Sequence, residues 1–286
     1  MRIFSAIAVV SVVCAVTPAC AIEMPPDMTD VVPGHPGVTY EMLLRQALPG
    51  LKKNDDGTWD SGPIRHFRDL EGKPAQSEDT PPRDLEIAFG SILVATVRED
   101  GRKRLLVLTD NNSGGTGFDA VLAAFDDSTK TPKLLDYVDA GRDKDNFVDP
   151  SVELAPGTQA FIAYSAHTNS SQGYEMVTPM VLRGGKFHEI ASLFIYNVGA
   201  CSYDRHEDIA FSARDDKGSP YRALVGAVTT EVKPGEPDCG DDQKPPKHSK
   251  TVVTDTWRWD AKKNDFVAAT GALDKLSEKN WKDAEQ

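Results

Sequence analysis

The sequence predicts an all-β protein of antiparallel meander sheets, propeller-like or sandwich, with a short N-terminal helix and a weak C-terminal helix. Three observations carry this reading. Apolar residues alternate with period two from residue 83 to about residue 270. Turn-forming clusters interrupt the alternation at short intervals. No gap between them holds a convincing helix of about ten residues, which disfavours βαβ units and a parallel sheet.

Residues 22–38 carry four prolines and read as an extended, loosely held lead-in. Thr39 can cap a short helix in which Tyr40, Leu43, Leu44, Ala47, Leu48 and Leu51 form one apolar stripe suited to packing on a sheet. Pro49-Gly50 ends it. Residues 52–82 are polar and rich in Pro, Gly and Asp, with Trp59, Ile64 and Phe67 as anchors. Strands are expected at Ile87–Val97, Leu105–Thr109, Phe118–Phe125, Lys133–Val138, Thr158–Tyr164, Tyr174–Leu182, Phe187–Tyr196, Asp208–Ala213, Tyr221–Val232, Thr251–Trp259 and Phe266–Ala269. Asp100-Gly101 is a strong hairpin dipeptide, and Gly184-Gly185 another tight turn. Leu273–Trp281 is weakly helical. The domain reading is 1–21 leader, 22–82 N-terminal segment, 83–270 β domain and 271–286 helical tail. A strand–turn–strand form recurs without a fixed period, so closure of the sheets stays open.

The first residues point to export. Arg2 precedes the apolar stretch Ile3–Val16, and Ala19-Cys20-Ala21 supplies the small residues a signal peptidase admits. Cleavage after Ala21 is preferred to lipid attachment at Cys20, because Thr17-Pro18-Ala19 lacks the aliphatic residue of a lipobox. The mature chain is then expected to be periplasmic or secreted, soluble and without a transmembrane segment. Cys14 and Cys20 leave with the leader, and Cys201 and Cys239 are expected to form one disulfide in an oxidising compartment. A net charge of −12 opposes nucleic-acid binding and adhesion to anionic lipid. No cofactor motif is complete.

Each candidate site has a plainer reading beside it. Asp110–Gly117 resembles a phosphate cradle but lacks the P-loop Lys and a following helix, so a long turn is preferred. Asp143, Asp145 and Asp149, after Asp139, are weak calcium candidates; Phe147 and Val148 occupy places where the EF-type pattern needs a ligand and Gly, and a solvated acidic loop is the default. His167, Asn169, Ser170, Gln172 and Tyr174 are the binding candidates, at the tip of an expected hairpin, although a polar turn without ligand carries more weight on sequence alone. His167, His188 and His206 lack zinc spacing. Trp257 and Trp259 share a strand face and are assigned to the core in preference to a sugar platform. The functional expectation is a non-catalytic binding or envelope-associated protein whose partner is an envelope component or a small polar ligand. The alternative is a secreted hydrolase pairing His167 with a carboxylate such as Asp110 or Asp143.

Overall fold

A computed structural model describes residues 26–63, 68, 84–87, 89–111, 120–140, 144–169, 171–235 and 246–285. Helix α1 spans Tyr40–Ala47; Thr39 is extended and its hydroxyl accepts from the Met42 amide at 3.3 Å, which satisfies an otherwise orphaned first-turn donor. A three-stranded sheet contains β1 (Lys52–Lys53), β2 (Trp59–Pro63) and β3 (Asp84–Ile87). A four-stranded meander follows, made of β4 (Phe89–Glu99), β5 (Arg102–Asn111), β6 (Val121–Asp126) and β7 (Lys133–Asp139).

The largest sheet has nine strands. Its first five are β8 (Lys144–Ala155), β9 (Thr158–Thr168), β10 (Gln172–Arg183), β11 (Lys186–Glu189) and β12 (Leu193–Gly199). The others are β13 (Tyr203–Arg214), β14 (Ala223–Pro234), β15 (Ser249–Asp260) and β16 (Asp265–Ala268), followed by helix α2 (Ala272–Ala284). The spatial order is β16-β15-β14-β13-β12-β10-β9-β8, with β11 on β10, and all pairings are antiparallel. The architecture is therefore antiparallel β with two helices, and the sheets do not close.

Alternation explains the layering. On β5, Leu105 and Val107 join Ile92, Val121, Ala123 and Phe125 beneath Tyr40, Leu43 and Leu44 of α1. Leu106 and Leu108 point the other way, onto Phe161, Ala163, Met180 and Leu182 of β9 and β10. The meander is thus covered on both faces. The far faces of β9 and β10 meet Leu224, Val228, Trp257 and Phe266 in a further core, because the long sheet curls and brings the Arg222 amide to the Leu154 carbonyl at 2.6 Å. Each fully buried large apolar side chain contributes roughly 1.5–3 kcal/mol.

Two expected turns take the required geometry: Asp100 and Gly101 have φ of 48° and 77°, and Gly184 and Gly185 58° and 75°. Gly157 serves close approach, since a Cβ there would lie 2.7 Å from the Gly101 amide nitrogen.

Three expectations are corrected. The lead-in is not loosely held over residues 26–38. Met28 and Val32 are buried, Val32 and Val38 are hydrogen-bonded, and the His35 ring is clamped between Asp127 and the Lys130 carbonyl. Asp145 and Asp149 do not lie in a loop but in β8, the last strand of its sheet, paired with β9. Its carboxylates and Pro150 give poor strand propensity, and the register shifts between Val148 and Val152. Finally, Phe187–Tyr196 is not one strand. β11 and β12 lie along the same partner, with Met180 opposite Glu189 but Val177 opposite Leu193, so Ile190–Ser192 inserts one residue too many. This bulge switches the residues on the face shared with Met180 and Leu182 from odd to even numbers and puts Phe194 and Tyr196 beside Tyr174. The leader, Ile64, Phe67 and Cys239 lie outside the described residues, as does the Asp110–Gly117 loop beyond Asn111.

The weak C-terminal helix is longer than expected and integral to the core, with Leu273 and Asn280 buried. Its N-cap, Gly271, has no side chain, and Asp255 from β15 supplies the cap, accepting from the Ala272 amide at 2.6 Å and the Thr270 amide at 3.2 Å. Burial would raise the Asp255 pKa, but the amide hydrogen bonds outweigh it and hold the carboxyl below its ordinary value. A depressed folded-state pKa contributes stability above the unfolded value of about 3.9 and loses it as pH falls through the folded value. Asp255→Asn should therefore cost roughly 1–2 kcal/mol near neutrality. In urea unfolding, its deficit relative to the parent should shrink as pH drops below the ordinary aspartate range. No described helix is long and apolar enough to cross a membrane.

Candidate functional site

The hairpin of β9 and β10 ends where β12 and β13 also end, and polar side chains from these four strands converge on one cleft. It has a volume of about 300 Å³ and is lined by Asn169, Gln172, Glu175, Asn197, Arg205 and His206, among others. Glu175 is half-buried. Burial raises its pKa, with nearby Asp208 adding to the effect and His206 opposing it. His206 Nε2 lies 3.0 Å from Asp208 Oδ1 on an exposed surface.

A polar plug supports the cleft. β12 and β13 pair only at Val198–Arg205 and Gly199–Asp204, then part. Groups from α2 and Glu207 take over the β12 edge. Ser277 Oγ accepts from the Phe194 amide at 2.8 Å, Asn280 Nδ2 donates to the Phe194 carbonyl at 3.0 Å, and the Tyr196 amide donates to Glu207 Oε2 at 3.1 Å. Glu207 also accepts from Asn280 Nδ2 at 2.6 Å, Arg205 Nη2 at 2.8 Å and Thr230 Oγ1 at 2.9 Å. Its own amide donates to Asn197 Oδ1 at 2.8 Å. Arg205 reaches Asp283 at 2.9 Å and covers the Tyr196 ring. The splayed edge thus keeps its backbone partners, and the Arg205 guanidinium is held by Glu207, Asn280 and Asp283 on the α2 side.

An aromatic row adjoins the plug. His167 stacks on Tyr174 with centroids 5.3 Å apart, and Tyr174 on Phe194 at 5.1 Å; Trp281 of α2 meets Phe194 edge-on at 5.0 Å. Tyr174 is thus flanked by rings, and the cleft offers hydrogen-bonding groups in place of a free stacking face.

The structure brings Asn169, Gln172 and Tyr174 to the cleft wall, while His167 joins through its stack on Tyr174. Asn169 has a structural task as well: its Oδ1 accepts from the Gln172 amide at 3.0 Å and shapes the turn. Ser170 lies outside the described residues, as do Asp143 and the Asp110 side chain, so neither proposed carboxylate partner of His167 is described. Asp145 and Asp149 are four residues apart on β8, roughly 13 Å along an extended strand. No cluster of three metal-ligating residues occurs among the described residues. Cys201 lies in the turn between β12 and β13. His188 is half-buried against Arg183. Trp257 is core, with 2% of its surface exposed, while Trp259 packs against Tyr221 and Phe266.

Sequence reasoning missed Glu175, Asn197, Arg205 and His206 as cleft residues. Glu175 left a signal, a carboxylate inside an otherwise apolar strand. The other three come from strands whose approach depends on long-range pairing. No protein-family model, curated protein or solved structure matches the chain.

Proposed function

We propose that this chain is an exported, non-catalytic binding protein that holds a small polar ligand rich in hydrogen-bond donors, an amine or polyol, in the cleft at the tip of β9 and β10. The observation that carries the reading is the convergence of Gln172, Glu175, Asn197 and His206 from three strands onto one cleft. The Glu175 carboxylate and the Gln172 amide oxygen supply acceptors on a rigid sheet, which suit donor-bearing ligands, and the acidic chain draws cations toward it. Export is supported by the leader pattern. A Cys201–Cys239 disulfide belongs to the same proposal: the Gly235 amide donates to the Ser202 carbonyl at 2.9 Å, so β14 delivers the chain beside Cys201 four residues before Cys239. Such a bridge would contribute roughly 2–4 kcal/mol.

Calorimetric titration with 1,4-diaminobutane and with glycerol tests the reading. Binding of either probe should weaken at least about tenfold in Glu175→Gln and Gln172→Ala, while thermal midpoints stay nearly unchanged. Amine binding favours ionised Glu175, so affinity should fall as pH drops through its raised pKa. If neither probe binds, or both variants bind as the parent does, the cleft is not the site.

A further inference from the structure

At the other end of β10, roughly 30 Å along the strand from the cleft, a second cavity of about 280 Å³ opens where several turns meet. Asp100 reaches it from the β4–β5 turn, Arg183 and His188 from the β10–β11 hairpin, Asn264 from the β15–β16 turn, and Tyr221 and Trp259 complete the wall. These residues are drawn from four regions far apart in sequence.

Arg183 is held in an unusual way for a half-buried cation. Its guanidinium lies over the Trp259 ring at 4.7 Å; Nη1 donates to the Asn264 carbonyl at 2.8 Å and Nη2 to His188 Nδ1 at 2.8 Å. Each of these partners is neutral, and no carboxylate lies within ion-pair distance of it among the described residues. Nε is buried without a hydrogen-bond partner among those residues. The bond from Arg183 fixes the His188 tautomer with its proton on Nε2. Burial and the adjacent guanidinium both push the His188 pKa down, so this imidazole does not compete for an anion as a second cation. A buried guanidinium normally gains a carboxylate partner.

Asp100 decides what kind of anion fits. Asp100 lines the same small cavity; its carboxylate accepts from the Thr158 hydroxyl at 3.3 Å and its charge acts on Tyr221 in the cavity wall, so a bare anion would meet repulsion, whereas a ligand with an ammonium beside its carboxylate satisfies both walls. With one face of Trp259 taken by Arg183, the remaining ring surface of Trp259 and Tyr221, packed at 5.0 Å, gives the apolar side for a hydrocarbon or aromatic substituent.

We propose that this cavity is a binding site for a small zwitterion of the α-amino-acid class, with its carboxylate on Arg183, its ammonium on Asp100 and an apolar side chain against Tyr221 and Trp259. The site is independent of the cleft at the β9–β10 tip.

The indole N–H of Trp259, assigned by its loss in Trp259→Phe, reports on the cavity in a nitrogen–proton correlation spectrum. Titration with L-phenylalanine or L-leucine at millimolar concentration should shift it. N-acetyl-L-phenylalanine and L-phenylalanine methyl ester, each lacking one charge, should bind at least about tenfold more weakly. Arg183→Gln should abolish the response. Asp100→Asn should weaken it by a similar factor, and Asn accepts the left-handed backbone at that position, so this variant decides the matter even if Arg183→Gln folds poorly. No shift with either free amino acid, equal binding of the blocked derivatives, or an undiminished response in Asp100→Asn would overturn the proposal.

Discussion

Replacing Glu207 by Ala is expected to lower stability by about 3–5 kcal/mol, read as a fall in the urea midpoint with little change in slope. Glu207 is buried, and its two oxygens receive the Tyr196 amide, the Asn280 amide group, the Arg205 guanidinium and the Thr230 hydroxyl. Truncation strips the Tyr196 amide and the Thr230 hydroxyl of this acceptor and takes one acceptor from each of Asn280 and Arg205, and a lost partner costs more than the net worth of the bond it made. Arg205 keeps Asp283, but that contact reaches toward the surface and cannot replace the buried acceptor. Asp283→Asn is the matched control. It removes the more exposed member of the same network and should cost no more than about 1 kcal/mol. The variant should also loosen α2, because Asn280 loses one of its two strand-side acceptors. Faster amide exchange in residues 272–284 would report that loosening. If Glu207→Ala matches Asp283→Asn in midpoint, the plug is not what joins the helix to the splayed strands.

Trp257→Ala should be comparably damaging, about 3–5 kcal/mol, for a different reason. Trp257 is the largest fully buried side chain and sits against Phe211, with ring centroids 6.4 Å apart. Gly226 on β14 leaves room for it: a Cβ at 226 would lie 2.8 Å from the indole and 3.1 Å from Leu273. The ring therefore fills the space between a bare patch of strand and α2, and removing it opens a void that neither neighbour can fill with its own side chain. Gly226→Ala should fail in the opposite sense, by crowding, at roughly 1–3 kcal/mol. Calorimetric midpoints of both variants test the account. A near-normal Trp257→Ala would mean that α2 collapses onto the sheet unaided.

The same residues show what could be read from the chain alone. Period-two alternation marked ten of the strand regions at their observed places because each residue's face is a local property, decided by its neighbours two positions away. The Asp100-Gly101 turn and the Thr39 cap were legible for a similar reason: both depend on backbone angles or hydrogen bonds spanning a few residues. The candidate site was half legible. Asn169, Gln172 and Tyr174 announced themselves as a polar hairpin tip, whereas His206 was one of three histidines without zinc spacing and nothing local marked Glu207 as buried.

Local pattern determined the antiparallel β class, the capped first helix and the tightest turns, because the physics of each is settled within one turn or one pleat. Tertiary structure alone decided the rest. The extra residue at Ile190–Ser192 chooses which face Phe194 and Tyr196 occupy, the parting of β12 from β13 makes Glu207 a buried anchor, and three distant regions surround Arg183. Pairing register and sheet curl are free-energy choices among contacts far apart in sequence, and no periodicity along the chain encodes them.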